Sequence, residues 1–265
     1  MRFVIAAFLL PSLATSAIAL DVVFPDCDAP PTLDPSPRLP ENVSWVDPRL
    51  RGGRMLDVVG SLRTGEPLNV IISGQSHPDV LSHVGFIAYA RTIGFSNECL
   101  GLHMGLVQLA DLGDGIGLRG EQLLVRQTFR RHIPFWGTTC WESFAGGNHF
   151  RAWKQNGTLA NTGAWFLAVS AEESGSKHHA IIPDGYNIGR DLLVSRAVAE
   201  DNEEWKASVD WVQGLMEPGS KGINHRIPVD GLVAVLTVRK RNEDEKKPWR
   251  SLWTLLRFLL PFLPL

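Results

Sequence analysis

Apolar runs separated by glycine, proline and charged residues predict several buried strands. Four such runs are rich in β-branched or aromatic residues and end at turn-forming or polar residues: 67–74, 122–129, 163–170 and 231–240. Runs of this length and composition are typical of strands buried in a sheet. We therefore expect these four segments to build the centre of the fold.

A period of two in polarity marks a fifth strand in residues 146–153, GGNHFRAW. In an extended chain successive side chains point to opposite faces. His149, Arg151 and Trp153 would then share one face, while Phe150 and Ala152 share the other. This strand is predicted to carry one polar and aromatic face.

Three segments are predicted to be helical. Residues 76–94 begin with a capping box at Ser76 and end at a glycine, and residues 190–199 follow a turn rich in proline and glycine. Residues 202–215 have an apolar stripe at helical spacing, formed by Trp205, Val209 and Val212. Strands outnumber helices and the two do not alternate. We expect an α+β fold, a single domain with a mixed, largely antiparallel sheet packed against a few helices.

The two ends of the chain differ from this body. Residues 1–19 have the charged, apolar and small-residue order of a signal peptide, with cleavage expected after Ala19; a short membrane anchor is the alternative. Residues 20–54 form a proline-rich extended segment, the domain follows at 55–240, and residues 241–265 are a charged and then apolar tail. The tail is too short and broken to span a bilayer comfortably. It suits a membrane interface or docking on the domain's own surface, and a lipid-anchor signal is a weaker alternative.

The two ends predict a secreted glycoprotein, either free or held at a membrane surface by its tail. The sequons that begin at Asn42 and Asn156 fit the secretory pathway. The chain has three cysteines, so in an oxidising compartment at most one intramolecular disulfide forms. We prefer Cys99 with Cys140, because both lie in the body of the domain.

Composition and motifs exclude several classes of function. The net charge of -2 and the pI near 6.4 argue against nucleic acid as a partner. Gly115 to Gly120 match G-x-G-x-x-G, but a strand follows where a helix is needed, so we expect a hairpin loop and no dinucleotide. Cys140 and Ser143 lack the context of a nucleophile, and no cofactor is predicted.

Polar residues in the stretch 175–194 form the main candidate site. If residues 178 and 179 are extended, their imidazoles face opposite sides, so His178 and His179 cannot both serve one site. One of them is expected to pack inward and the other to meet His149. The turn that follows carries three charged residues, Asp184, Arg190 and Asp191.

Three interpretations of this group stay open. It can be structural, with Asp191 at a helix start and an Arg190–Asp184 pair closing the turn. It can be functional, with Arg151 and Arg190 gripping an anion while His149 or His178 transfers a proton. A metal held by His149, one of His178 and His179, and Asp184 is a third interpretation, but the spacing matches no tight motif and no metal is predicted.

The strand motifs around 67–74 and 163–170, together with HFRAW and HHAIIPDGYNIGRDLLV, resemble the LssY carboxy-terminal domain family over residues 66–238. The matching polar positions are His149, Arg151, Trp153, His178, His179, Asp184, Arg190 and Asp191. The resemblance implies an envelope-like, membrane-proximal setting; the activity of this domain is not established. The chain departs from the pattern in having no multi-pass phosphatase portion and in having Asn148–His149 where paired histidines are expected.

Two functions follow as expectations. The first is a module that binds an anionic ligand, such as a lipid headgroup or a phosphate, through the His/Arg/Asp group, with Arg151, Trp153, His179, Asp184, Arg190 and Asp191 in contact with the ligand. The second is a phosphoester hydrolase that adds proton transfer by His149 or His178, with metal assistance as an option.

Overall fold

A seven-stranded mixed sheet forms the centre of the computed structural model. The structure describes residues 43–59, 64–103, 105–129 and 139–242. The strands lie in the order β2-β5-β6-β7-β1-β9-β8, and their bounds are β1 Val70–Ile72, β2 Phe95–Asn97, β5 Leu123–Gln127, β6 Gly147–Lys154, β7 Trp165–Glu172, β8 Trp205–Val212 and β9 Val233–Lys240. Only β1 and β9 run parallel; the other neighbours are antiparallel. A separate two-stranded ribbon pairs β3 Leu109–Ala110 with β4 Arg119–Gly120.

Four α-helices accompany the sheet within the described residues: α1 Pro78–Leu81, α2 His83–Thr92, α3 Thr139–Ala145 and α4 Gly185–Ala197. The predicted single α+β domain with a mixed, largely antiparallel sheet is therefore confirmed. The predicted strands at 67–74, 122–129, 146–153, 163–170 and 231–240 all contain observed strands. The segment at 115–120 is a loop leading into β4, as expected, and no helix follows it.

One face of the sheet is covered by α2 and α4. Phe150 and Ala152 of β6 pack there in a large apolar cluster with Phe86 of α2 and Leu193 of α4. Burying this apolar surface stabilises the fold by roughly 25 cal/mol per Å². Because side chains alternate along β6, its other residues are directed to the opposite face of the sheet.

Residues 205–212 were predicted to be helical, and this prediction is wrong. They form the edge strand β8, which pairs with β9 over its whole length. Trp205, Ala207 and Val209 pack against the apolar cluster while the residues between them are exposed. A spacing of four residues satisfies both a helix and a strand, so Trp205 and Val209 did not distinguish them.

The predicted helix at 76–94 is interrupted. Ser82 is extended between α1 and α2, and its side chain caps α2 by accepting a hydrogen bond from the Gly85 amide at 3.0 Å. The N-cap of α1 is His77, whereas the predicted cap Ser76 accepts a hydrogen bond from the Val238 amide of β9 at 3.0 Å. Ser76 therefore binds the sheet instead of starting the helix, and the extended Ser82 divides the helical segment in two.

Most predictions for the two chain ends concern residues that the structure does not describe. The signal peptide, Cys27, the first sequon asparagine and the tail from residue 243 lie outside the described residues, as does most of the proline-rich segment. Among the residues that the structure describes, no helix is both long and apolar enough to cross a bilayer.

Candidate functional site

Three neighbouring strands place polar side chains in a row on the sheet face opposite α2 and α4. Arg126 of β5 is paired with His149 of β6, and His149 with Ser170 of β7. Arg151 lies two residues further along β6, on the same face. Loops and α3 add further charged residues around this row, and we call the whole set the acid–histidine cluster: Asp57, Glu66, Glu98, His103, Glu121, Arg126, Glu142, His149, Arg151, Glu172 and His179.

Arg126 lies at the centre of the cluster. Its Nη1 is 3.1 Å from both carboxylate oxygens of Glu142 and 3.0 Å from Oε2 of Glu172. Its Nε is 3.6 Å from Oε1 of Glu98. One guanidinium therefore faces three carboxylates from three different elements.

A second ion pair reaches the cluster from β6. Nη1 of Arg151 donates hydrogen bonds to both carboxylate oxygens of Glu121 at 2.5 Å. His103 links this pair to the first one, because its Nδ1 is 2.9 Å from Glu98 and its Nε2 is 3.5 Å from Glu121. The His103 side chain is 39% exposed, so it connects buried charges with solvent.

Glu172, the last residue of β7, lies between two imidazoles. Its Oε1 is 3.3 Å from Nδ1 of His149, and its Oε2 is 3.5 Å from Nδ1 of His179. His149 is buried beside the Ser170 hydroxyl at 3.5 Å, whereas His179 is 30% exposed. The structure thus brings His149 and the 175–194 stretch together through a shared carboxylate.

Burial perturbs the protonation of the cluster. It raises the pKa of Glu66 to about 7 and that of Glu142 to about 7, and it raises the pKa of Asp57 well above its usual value. Burial, aided by the positive charges of Arg126 and Arg151, lowers the pKa of His149 well below its usual value. Desolvation disfavours charge in both cases, so acids gain protons and the imidazole loses one.

Several buried polar atoms of the cluster make no hydrogen bond within the described structure. They are Oδ2 of Asp57, Oε2 of Glu66, Nε of Arg151 and Nδ1 of His179. Buried polar groups in proteins are almost always paired, and an unpaired one costs about 1 to 3 kcal/mol. Such groups concentrate where a site is built for chemistry or for a ligand.

Glu66 allows this electrostatic description to be tested. The pKa of Glu66 is about 7 in the folded chain, compared with its ordinary value of 4.5. The folded chain therefore binds more protons than the unfolded chain between these values, and stability is lost as pH rises through this window. We expect this group to cost on the order of 3 kcal/mol above pH 7. Arg151 offsets the shift, whereas Glu172 and Glu121 add to it.

Glu66→Gln should remove that cost, because glutamine keeps the shape without the charge. In urea unfolding from pH 4.5 to 8, the variant should be more stable than the wild type above pH 7 and should show a weaker pH dependence. Glu200→Gln at an exposed carboxylate is the matched control and should follow the wild type. Parallel curves for wild type and Glu66→Gln would contradict the shifted pKa.

The disulfide holds two walls of the site together. Cys99 and Cys140 are bonded, which confirms the preferred pairing. Cys99 follows Glu98 in the turn that leads to His103, while Cys140 lies in α3 two residues before Glu142. The covalent bond therefore links the turn that carries Glu98 to the helix that carries Glu142, and both carboxylates face Arg126.

Only some of the site residues predicted from the sequence lie in the acid–histidine cluster. His149, Arg151 and His179 belong to the cluster. His178 is exposed and lies outside it, and both adjacent histidines have left-handed backbone angles (φ 58° and 52°) and are not extended as assumed. Trp153 shares the strand face with Arg151 but is buried among apolar residues such as Met55 and Phe166, which is the environment of a core residue.

The Asp184, Arg190 and Asp191 group is not brought into the cluster. Arg190 donates hydrogen bonds to Asp230 at 2.6 and 2.8 Å and to Asp191 at 2.9 Å, and its guanidinium stacks over Trp211 of β8. Asp184 is exposed and accepts a hydrogen bond from Asn187 at 2.6 Å. The structural interpretation fits these residues, with Asp230 in the place of Asp184 as the partner of Arg190.

Sequence reasoning selected none of the six acids of the cluster and neither His103 nor Arg126; the residues missed are Asp57, Glu66, Glu98, His103, Glu121, Arg126, Glu142 and Glu172. Two of them left a signal. Arg126 lies inside the apolar run LLVRQ, and Glu172 ends the run of β7. A charged residue within a buried strand or at its end needs a partner once it is buried, so either could have directed attention to this face.

Glu142, Glu172 and His179 are arranged as metal ligands could be. One ligand atom from each lies within 4.8 Å of the others. Of the metal ligands considered from the sequence, only His179 belongs to this set.

Comparison with known proteins finds no match to this chain. No protein-family model, no curated protein and no solved structure matches the chain. The resemblance to the LssY carboxy-terminal domain therefore stays a prediction from the sequence motifs.

Proposed function

We propose that the chain is a hydrolase of phosphoesters and that the acid–histidine cluster is its reaction centre. One observation carries the proposal: His103, a part-exposed imidazole, is held between the buried carboxylates Glu98 and Glu121 at 2.9 and 3.5 Å. Each carboxylate is in turn paired with a buried guanidinium, Arg126 or Arg151. A solvent-accessible base oriented by a buried acid is the arrangement that proton transfer requires.

His103 would act on the water that attacks phosphorus. The imidazole takes a proton from the water as the new P–O bond forms, and the ester P–O bond breaks. The proton then passes to the leaving oxygen. Glu98 keeps the ring oriented in both steps through its 2.9 Å hydrogen bond with Nδ1. Nε2, which is 3.5 Å from Glu121 and too far for a good hydrogen bond, is the nitrogen that would take and return the proton.

The cluster repels an anionic substrate less than its count of acids suggests. Six carboxyls surround two guanidiniums, which by itself would repel a phosphate. The raised pKa values of Asp57, Glu66 and Glu142 reduce that negative charge near neutral pH. Arg151 keeps a buried Nε without a hydrogen bond, which is a donor suited to a phosphate oxygen.

The same donor favours a second candidate, a module that binds an anionic ligand without turning it over. Both candidates use Arg151, and they differ only in the need for His103. A clasp of Arg151 with Arg126 takes the place of the clasp of Arg151 with Arg190 expected from the sequence, because Arg126 belongs to the cluster, whereas Arg190 binds Asp230 outside it.

A substrate panel distinguishes the candidates. We expect the purified chain to hydrolyse at least one aryl, alkyl or lipid phosphoester, and His103→Asn to lower kcat/KM by about 100- to 10,000-fold. His178→Asn is the control, because that exposed imidazole lies outside the cluster. If no ester is turned over while inorganic phosphate binds and Arg151→Met abolishes that binding, the binding module replaces the hydrolase. Equal rates for wild type and His103→Asn would reject the role of His103.

We further propose that the protein acts in the secretory pathway or outside the cell, at a membrane surface contacted by the tail. The Cys99–Cys140 disulfide supports an oxidising compartment. Asn156 is exposed, as a glycosylated asparagine must be. Liposome co-sedimentation of the chain with and without residues 249–265 tests the membrane contact, and an unchanged pellet after truncation would remove it.

A further inference from the structure

We propose that Glu142, Glu172 and His179 bind a divalent transition-metal ion of the Zn²⁺ or Mn²⁺ type. One ligand atom from each residue lies within 4.8 Å of the others. The residues come from three separate elements, α3, the end of β7 and the turn after residue 177. The inference deepens the proposed function, since a cation here would attract an anionic ester, but metal binding can be measured without turnover.

The contact between His179 and Glu172 fits two ligands of one ion. Nδ1 of His179 is buried, has no hydrogen-bond partner, and is 3.5 Å from Oε2 of Glu172. This distance is too long for a good hydrogen bond. Two ligands at about 2.1 Å from a tetrahedral ion are roughly 3.4 Å apart, which matches the observed separation.

A further contact supports Glu172 as a ligand. His149 lies behind Glu172 at 3.3 Å, where an outer-shell residue would orient the ligating carboxylate.

Arg126 supplies the positive charge that now lies between the two carboxylates. Its Nη1 is within 3.1 Å of Glu142 and 3.0 Å of Glu172. A metal ion and this guanidinium would compete for the same oxygens. The guanidinium could turn towards Glu98, whose Oε1 is already 3.6 Å from Nε. Arg126 is therefore expected to weaken metal binding, which a simple ion-pair network would not predict.

The ligand types select the ion. An imidazole with two carboxylates suits zinc or manganese, whereas magnesium and calcium prefer oxygen ligands alone. Three protein ligands leave a coordination position for water or substrate, as in catalytic zinc sites.

Calorimetric titration of the chelator-treated full chain with Zn²⁺ and Mn²⁺ tests the proposal, with Mg²⁺ as the comparison ion. We expect one site per chain, and His179→Asn should weaken it at least 10-fold. His178→Asn is the matched control, because the neighbouring exposed imidazole is outside the ligand set and its loss should leave affinity unchanged. Arg126→Gln should bind the ion more tightly than the wild type.

Stability measurements keep the test decisive if a variant folds poorly. Zn²⁺ should raise the melting temperature of the wild type and of His178→Asn but not that of His179→Asn. The proposal is overturned if neither ion binds at millimolar concentration, or if His179→Asn binds as the wild type does. If the chain binds no metal but hydrolyses an ester in the presence of chelator, the metal site is rejected and the proposed function stands. If the chain binds metal but hydrolyses no ester, the proposed function is rejected and the metal site stands.

Discussion

Arg126→Met is expected to lower the free energy of unfolding by about 3 to 5 kcal/mol. The guanidinium is 7% exposed and is the shared partner of Glu142, Glu172 and Glu98. Removing it leaves buried carboxylates that face one another without a positive charge. Urea unfolding at pH 7.5 measures the effect.

Two further variants identify the cause of that loss. Arg126→Met combined with Glu142→Gln should recover part of the stability, because one of the uncompensated charges is gone. Lys177→Met breaks an exposed pair with Glu173 and should change stability by less than about 1 kcal/mol. A loss below 1 kcal/mol for Arg126→Met would contradict the central role of this residue.

Replacing both Cys99 and Cys140 with serine is expected to cost roughly 4 kcal/mol. The bond closes a loop with a sequence separation of 41 residues, and the chain-entropy relation converts this length into that free energy. The bond also ties the turn that carries Glu98 and His103 to α3, which carries Glu142. We therefore expect the double variant to lose the proposed hydrolysis as well, even below its melting temperature.

Unfolding of the wild type with and without a reductant, beside the double variant, measures this contribution. Cys27→Ser is the control: the other two cysteines are bonded to each other, so this change keeps the disulfide and should keep the stability. If the double variant unfolds at the same urea concentration as the wild type, the bond does not hold the site together.

The local sequence pattern was sufficient to predict most strands of the sheet. The strands β1, β5, β7 and β9 are largely apolar runs with most of their residues buried on both faces, so composition alone marks them. The alternation in GGNHFRAW correctly assigned His149 and Arg151 to one face, because the period of two is a property of the backbone. Edge strand β8 was mistaken for a helix, since the spacing of four residues between Trp205 and Val209 fits both a helix and a strand.

The candidate site could be predicted only in part. His149 and Arg151 were found because they lie on the same strand, and His179 because it adjoins a second histidine. Arg190 was included wrongly in the anion clasp: the 175–194 stretch is continuous in sequence, but its turn directs His179 towards Glu172 while α4 carries Arg190 to Asp230. Sequence proximity does not determine on which side of an element a side chain lies.

The amino-acid sequence by itself determined the class of fold, the buried strands and the polar face of β6, because these depend on local periodicity and composition. Only the tertiary structure decided that Arg126 would face Glu98, Glu142 and Glu172, and that His103 would lie between Glu98 and Glu121. These residues are separated by up to 74 positions along the chain between Glu98 and Glu172. Their meeting depends on strand register, the placement of α3 and the Cys99–Cys140 bond, which no local pattern encodes.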